Sequence, residues 1–146
     1  MKSSVYKFKT EETLTVFEFI SEGPKGKITK IVKFNPTTIP GFYNLTLGDK
    51  NLLTNGIDDK AISDNGDTDQ VLATIVSAIY AFTNSKKEAW VYAIANTKSR
   101  ARFYRMGINK YFSGIQKDFD LFGFYGGGWE KFRKEADYIA FALKRK

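Results

Sequence analysis

Runs rich in β-branched and aromatic residues come first in this chain and helical apolar spacing follows. That order constrains the fold more than any other feature. Leu14-Thr-Val-Phe-Glu-Phe-Ile20 and Lys27-Ile-Thr-Lys-Ile-Val-Lys-Phe34 flank the turn cluster Ser21-Glu-Gly-Pro-Lys-Gly26, which predicts a hairpin. Asn35-Pro-Thr-Thr-Ile-Pro-Gly41 breaks the second run, and Phe42-Tyr-Asn-Leu-Thr-Leu47 reads as the next strand. Residues 48–66 are rich in Gly, Asn and Asp, including Asn55-Gly56, and read as a long functional or mobile loop. Asp67 or Thr68 can cap a helix. Val71, Leu72, Ile75, Val76, Ile79 and Tyr80 then define one apolar stripe, so Ile75 and Ile79 should face a sheet.

Residues 89–95 form a short, largely apolar run that reads as a buried strand. A second helix starts near Thr97 or Ser99. Its core face is Ala101, Tyr104, Ile108, Tyr111 and Ile115, which carries the helix past residue 111. Phe119-Asp-Leu-Phe-Gly-Phe-Tyr125 is the next strand, Gly126-Gly-Gly128 a turn, and Tyr138-Ile-Ala-Phe-Ala-Leu143 the last strand. The expected fold is α+β in the order β-β-β-(β)-α-β-α-β-β, a curved and mainly antiparallel sheet with two principal helices. A length of 146 residues suits a single domain, 1–146, with one core.

Composition limits the chemistry. The chain has no histidine and no cysteine, which excludes Cys/His zinc sites and Ser–His–Asp or Cys–His nucleophilic centres. Any general acid or base must be Asp, Glu, Lys or Tyr. No apolar run approaches the roughly 20 residues that span a membrane, and residues 1–9 have no apolar signal core. The expectation is a soluble cytoplasmic protein with no membrane partner. A net charge of +7 points to nucleic acid, a phosphorylated ligand or an acidic protein, or to a solvated basic surface without a specific partner.

The strongest charged constellation is Asn96-Thr-Lys-Ser-Arg-Ala-Arg-Phe-Tyr-Arg105, where a strand runs into a helix. Lys98, Ser99, Arg102 and Arg105 are the expected anion-binding residues. Arginine forks suit phosphate, and first-turn N–H groups lack helical partners. Arg102 and Arg105 lie three apart and can reach one partner, whereas Arg100 projects elsewhere. The alternative is an ordinary N-cap followed by a solvated basic face. Asp58, Asp59, Asp64, Asp67 and Asp69 could offer oxygen ligands, but they lack the EF-hand pattern and suit turns and helix starts. No metal or cofactor is expected. Gly126–Gly128 reads as a hairpin turn rather than a phosphate loop, because no extended helix follows. Tyr104, among arginines, is either a proton donor or a packed ring.

Three stretches carry a resemblance over nearly the full length: Tyr43-Asn-Leu-Thr-Leu-Gly-Asp49, Ser63-Asp-Asn-Gly-Asp67 with Val71-Leu-Ala-Thr74, and Ser99-Arg-Ala-Arg-Phe-Tyr-Arg-Met-Gly-Ile108. Through them the chain resembles a family of small bacterial proteins of unknown function, found mainly among Bacteroidetes. That resemblance implies no activity. Locally, Asn96-x-x-Ser99-x-x-x-Phe103-x-x-x-Gly107-Ile108 is similar to the closing motif of GNAT-type N-acetyltransferases. This implies an acyltransferase with Asn96, and Phe103 or Tyr104, near acetyl-coenzyme A. Where those enzymes carry a Gly-rich pyrophosphate loop, this chain reads Asp64-Asn-Gly-Asp-Thr-Asp69, which repels a pyrophosphate. Acetyl-coenzyme A binding is therefore not expected. A protein-interaction partner is the third reading.

Overall fold

The computed structural model describes residues 5–51, 53–54, 56–58 and 64–146. Among them the chain forms β1 (Phe8–Thr10), β2 (Val16–Gly23), β3 (Gly26–Pro36), β4 (Phe42–Lys50), β5 (Ile57–Asp58), α1 (Thr68–Ser85), β6 (Trp90–Ile94), α2 (Lys98–Lys110), α3 (Phe112–Asp118), β7 (Phe119–Tyr125), β8 (Gly128–Lys131) and β9 (Ala140–Arg145). The strands pair in the order β1-β2-β3-β4-β6-β9-β7-β8, and β5 pairs with β4. The sheet is open and mostly antiparallel; β4 and β6 run parallel. This is the expected α+β class. Two short strands, β5 and β8, were not expected, because two to four residues are too few to display a pattern.

The chain divides into two compact units, Met1–Phe34 with Thr46–Ser85 and Asn35–Leu45 with Lys86–Lys146. In the first, β2 and β3 form the expected hairpin. Gly23 pairs with Gly26 across the two-residue turn Pro24-Lys25, and Gly26 takes the left-handed conformation with φ 89°. Phe17, Phe19 and Ser21 alternate on one side of β2, and Lys30, Val32 and Phe34 do so on β3. All six are buried. Helix α1 covers this side, with Phe82 stacked on Phe34 at 4.2 Å between ring centres.

Val71, Leu72 and Ile75 of the expected stripe are buried, while Val76, Ile79 and Tyr80 are half-buried. The buried line instead runs through Thr74, Ala78, Phe82 and Thr83. Phe82 is stacked on Phe34, and the other buried positions of this line are small side chains. Lys30 is fully buried on this apolar side and is neutralised by Asp49 at 2.7 Å.

In the second unit β9 lies between β6 and β7, antiparallel to both. Strands β7 and β8 form a hairpin through Gly126 and Gly127, both at positive φ (63° and 85°). That matches the expected glycine turn. Thr97 caps α2 by accepting a hydrogen bond from the Arg100 amide at 3.1 Å. The second helix does not run unbroken through Ile115. It stops at Tyr111 (φ −108°, ψ 21°) and restarts as α3. Ile115 stays buried, while Phe112 turns to Phe132, with ring centres 6.0 Å apart, and beneath the Lys134 ammonium. The apolar spacing is continuous, but the backbone bends to satisfy both contacts.

Candidate nucleic-acid interface

The start of α2 emerges directly from β6. Asn96, Lys98, Ser99 and Arg102 are exposed there. Lys98 and Arg102 are four apart, so they share one helix face. Arg100 is 6% exposed, consistent with its projecting away from that face. Arg105 is half-buried and donates through Nη1 to the carboxylate of Asp137. The structure thus groups Lys98, Ser99 and Arg102, and draws Arg105 toward an acid 32 residues later in the chain.

Phe103 is half-buried against Tyr104, and Tyr104 itself is 9% exposed with its ring edge-on to Phe141. Tyr104 is a core ring of this unit. Its place on the sheet side of α2 follows from the helical phase of Ala101.

Residues 64–69 do something the sequence did not reveal. Asn65 is 1% exposed. It accepts from the Lys25 amide at 2.7 Å and donates to the Gly26 carbonyl at 2.9 Å and the Ser21 hydroxyl at 3.2 Å. Asp67 accepts from Tyr6 at 2.6 Å and from Ser21 at 2.5 Å. Burial, then the Asp67 hydrogen bond, raises the Tyr6 phenol above its ordinary value. The segment therefore clamps the β2–β3 turn. Asn55, Asp59 and Ser63 lie outside the described residues. Among the described residues no group of three or more acidic side chains is placed to hold a metal ion.

The second unit carries a feature that sequence reasoning missed. Residues directly opposite in paired strands point to the same side of a sheet. Phe42 lies opposite Trp90, which lies opposite Lys144, then Asp120. Asn44, Tyr92, Ala142, Phe122 and Lys131 form the adjacent row. Ile94 opposite Ala140, and Phe124 opposite Trp129, continue on the same side.

The other side bears Val91, Phe119, Leu121 and Phe141, all buried, and α2 packs there through Tyr104 on Phe141. The first side thus faces away from α2. Phe42, Trp90, Tyr92, Phe122 and Phe124 are half-buried, and Trp129 is 45% exposed. The sequence held one signal: in 119–125 aromatic or aliphatic residues occupy both parities, so a strand covered on one side leaves rings on the other.

Their rings touch in a chain. Phe42 stacks on Trp90 (5.9 Å, 3°) and Tyr92 on Trp129 (5.7 Å, 10°). Phe42–Tyr92, Trp90–Phe122 and Phe124–Trp129 connect at 5.3–5.7 Å. Lys131 is exposed at one margin. Lys144 is half-buried beside Trp90, its Nζ 3.9 Å from an exposed Glu88 carboxylate.

On the α2 side, Glu130 accepts from Tyr138 at 2.6 Å and from Arg133 at 2.8 Å. The Tyr138 hydroxyl, then Arg133, holds the Glu130 carboxyl below its ordinary range. Burial, then Glu130, raises Tyr138, which remains a neutral donor and a structural ring.

An α+β chain with an open, mostly antiparallel sheet and an aromatic side facing away from α2 is the class that this geometry defines. The chain belongs to a family of unknown function (DUF6934), whose model matches residues 2–146. The full-length resemblance seen in the sequence is thereby confirmed. Neither a curated protein nor a solved structure matches the chain, so the local likeness to acetyltransferases has no support. No helix among the described residues is long and apolar enough to cross a membrane.

Proposed function

We propose that the protein is a small basic binding module for an anionic partner, nucleic acid or a nucleotide. The observation that carries this reading is the exposed trio Lys98, Ser99 and Arg102 at the first turns of α2, in a chain of net charge +7. Lys98 and Arg102 make no ion pair among the described residues. A cation in that position gains by releasing counterions from a polyanion. Arg105 contributes less, because Asp137 already offsets its charge. The reading goes with a cytoplasmic location, where nucleic acid is at hand.

Fluorescence anisotropy on labelled oligonucleotides over a range of salt tests it. The double variant Lys98→Ala, Arg102→Ala should bind more weakly and flatten the salt slope by about two, one for each phosphate no longer neutralised. Arg105→Ala should change the slope by less. A slope indifferent to Lys98 and Arg102 means diffuse charge and a solvated helix face, and overturns the reading.

A further inference from the structure

We propose that the anionic partner is a single-stranded nucleic acid, and that its bases stack on the aromatic side of β4, β6, β9, β7 and β8. This rests on the reading above for the charge of the partner, and it adds a second contact surface, on the side of the sheet away from α2. Six rings, Phe42, Trp90, Tyr92, Phe122, Phe124 and Trp129, come from four strands and lie on one side of the sheet. None of the six belongs to the buried core of this unit. Helix α2 covers the opposite side, where Val91, Phe119, Leu121 and Phe141 already form the core. Aromatic rings left partly in water on a sheet are costly to solubility, and a contiguous patch of them marks a surface that another molecule covers.

Two properties select the occupant. First, the pairs Phe42–Trp90 and Tyr92–Trp129 lie near-parallel, at 3° and 10° to each other, so each is a short stack that a further flat ring can extend. Flat faces suit flat π-systems, and every nucleobase has one. A duplex hides its base faces within its own stack, so only an unpaired strand can offer them. Second, the rows that hold the rings also hold Lys131 and Lys144, against the single acid Asp120. Among the described residues the Lys144 ammonium meets Glu88 loosely at 3.9 Å and donates to the Arg145 carbonyl at 3.3 Å, contacts that it can exchange for a phosphate. Bases over rings with phosphates toward lysines is the arrangement that sequence-tolerant single-strand binding uses. A hydrophobic protein partner would gain nothing from the +7 charge of the chain.

The chain reports on this face directly, because its two tryptophans, Trp90 and Trp129, both lie in it. The test is a titration of the full chain with 12-nucleotide single-stranded DNA and RNA, and with the matched duplex, read by tryptophan fluorescence and by anisotropy of a label. Single strands should quench the tryptophans and bind more tightly than duplex. Trp129→Ala, a change at an exposed position, should weaken single-strand binding about 5- to 150-fold, the range for one stacked base. Trp129→Phe should restore most of it. Circular dichroism melts check that each variant is folded, and Lys131→Ala, which removes an exposed cation of the same face, should weaken single-strand binding and flatten its salt slope by about one.

Binding that leaves the tryptophans unquenched and ignores Trp129→Ala, yet falls with Lys98→Ala, Arg102→Ala, overturns this inference and leaves the anion-binding reading standing. No oligonucleotide binding at low salt overturns both. Self-association in the ultracentrifuge that Trp129→Ala abolishes, without oligonucleotide binding, would overturn the inference by showing a protein interface instead.

Discussion

Glu11 organises the turn that leads into β2. Its Oε1 accepts from the Thr15 amide at 2.7 Å and the Val16 amide at 3.1 Å, and its other oxygen accepts from the Thr13 hydroxyl. Leu14 takes a left-handed φ of 56° to allow this. The Thr13 hydroxyl first, and the Thr15 amide next, pull the Glu11 carboxyl from its ordinary 4.5 down to about 2. The folded value lies below the unfolded one, so the stabilisation is present above about pH 4.5 and is lost as pH falls toward 2. In an NMR titration, the Thr15 and Val16 amide shifts should move with a midpoint near 2, and Glu11→Gln should abolish that movement. A midpoint at about 4 or above, the range of an unperturbed carboxylate, would show that the turn does not hold it.

Gly23 makes a second residue-level point. A Cβ there would stand 1.8 Å from the carbonyl oxygen of buried Asn65. Gly23→Ala must displace the clamp on the hairpin turn. It should cost about 1–3 kcal/mol or more in a denaturant melt. A neutral substitution would mean that residues 64–67 yield freely.

Helix α1 shows how an element can be right in type and rotated in phase. Ile75 is 6% exposed and Ile79 is half-buried, although both belong to the same sequence stripe. Ile75→Ala should therefore destabilise the protein by about 2–5 kcal/mol, and Ile79→Ala by clearly less. Equal losses in urea melts would restore the stripe as the sequence drew it. At α2 the sequence placed the start well, because capping is local: Thr97 and the Arg100 amide are three residues apart. It overran the end: the helix stops at Tyr111, and the next residue, Phe112, meets Phe132 of a later segment, a contact that no local pattern displays.

For the molecule as a whole, we propose that the two units fold as the single domain that the length suggests. The chain passes between them after Phe34, after Leu45 and after Ser85, and β4 contributes residues to both. Neither unit is a continuous segment that could form on its own from one stretch of sequence. Trp90 and Trp129 both belong to the second unit, whereas far-ultraviolet circular dichroism reports on the entire chain. The two signals should melt at one midpoint, with or without EDTA. Separate midpoints would show two domains, and a drop in both with EDTA would show a structural metal ion.

What the sequence determined by itself is what neighbouring residues decide. The Pro24-Lys25 turn, the Gly126-Gly127 turn, the Thr97 cap and the succession of strands and helices all follow from residue types within a few positions of one another. So does the absence of Cys and His chemistry. The tertiary structure alone decided which side of each strand is covered, that Asn65 and Asp67 serve the hairpin, and that Arg105 meets Asp137. It also gathered Phe42, Trp90, Tyr92 and Trp129 onto one surface. Those residues come from three separate stretches of the chain, and alternation within a strand gives each of them two possible sides. Only the pairing register between distant strands, and the helices that occupy one side, settle which side remains open.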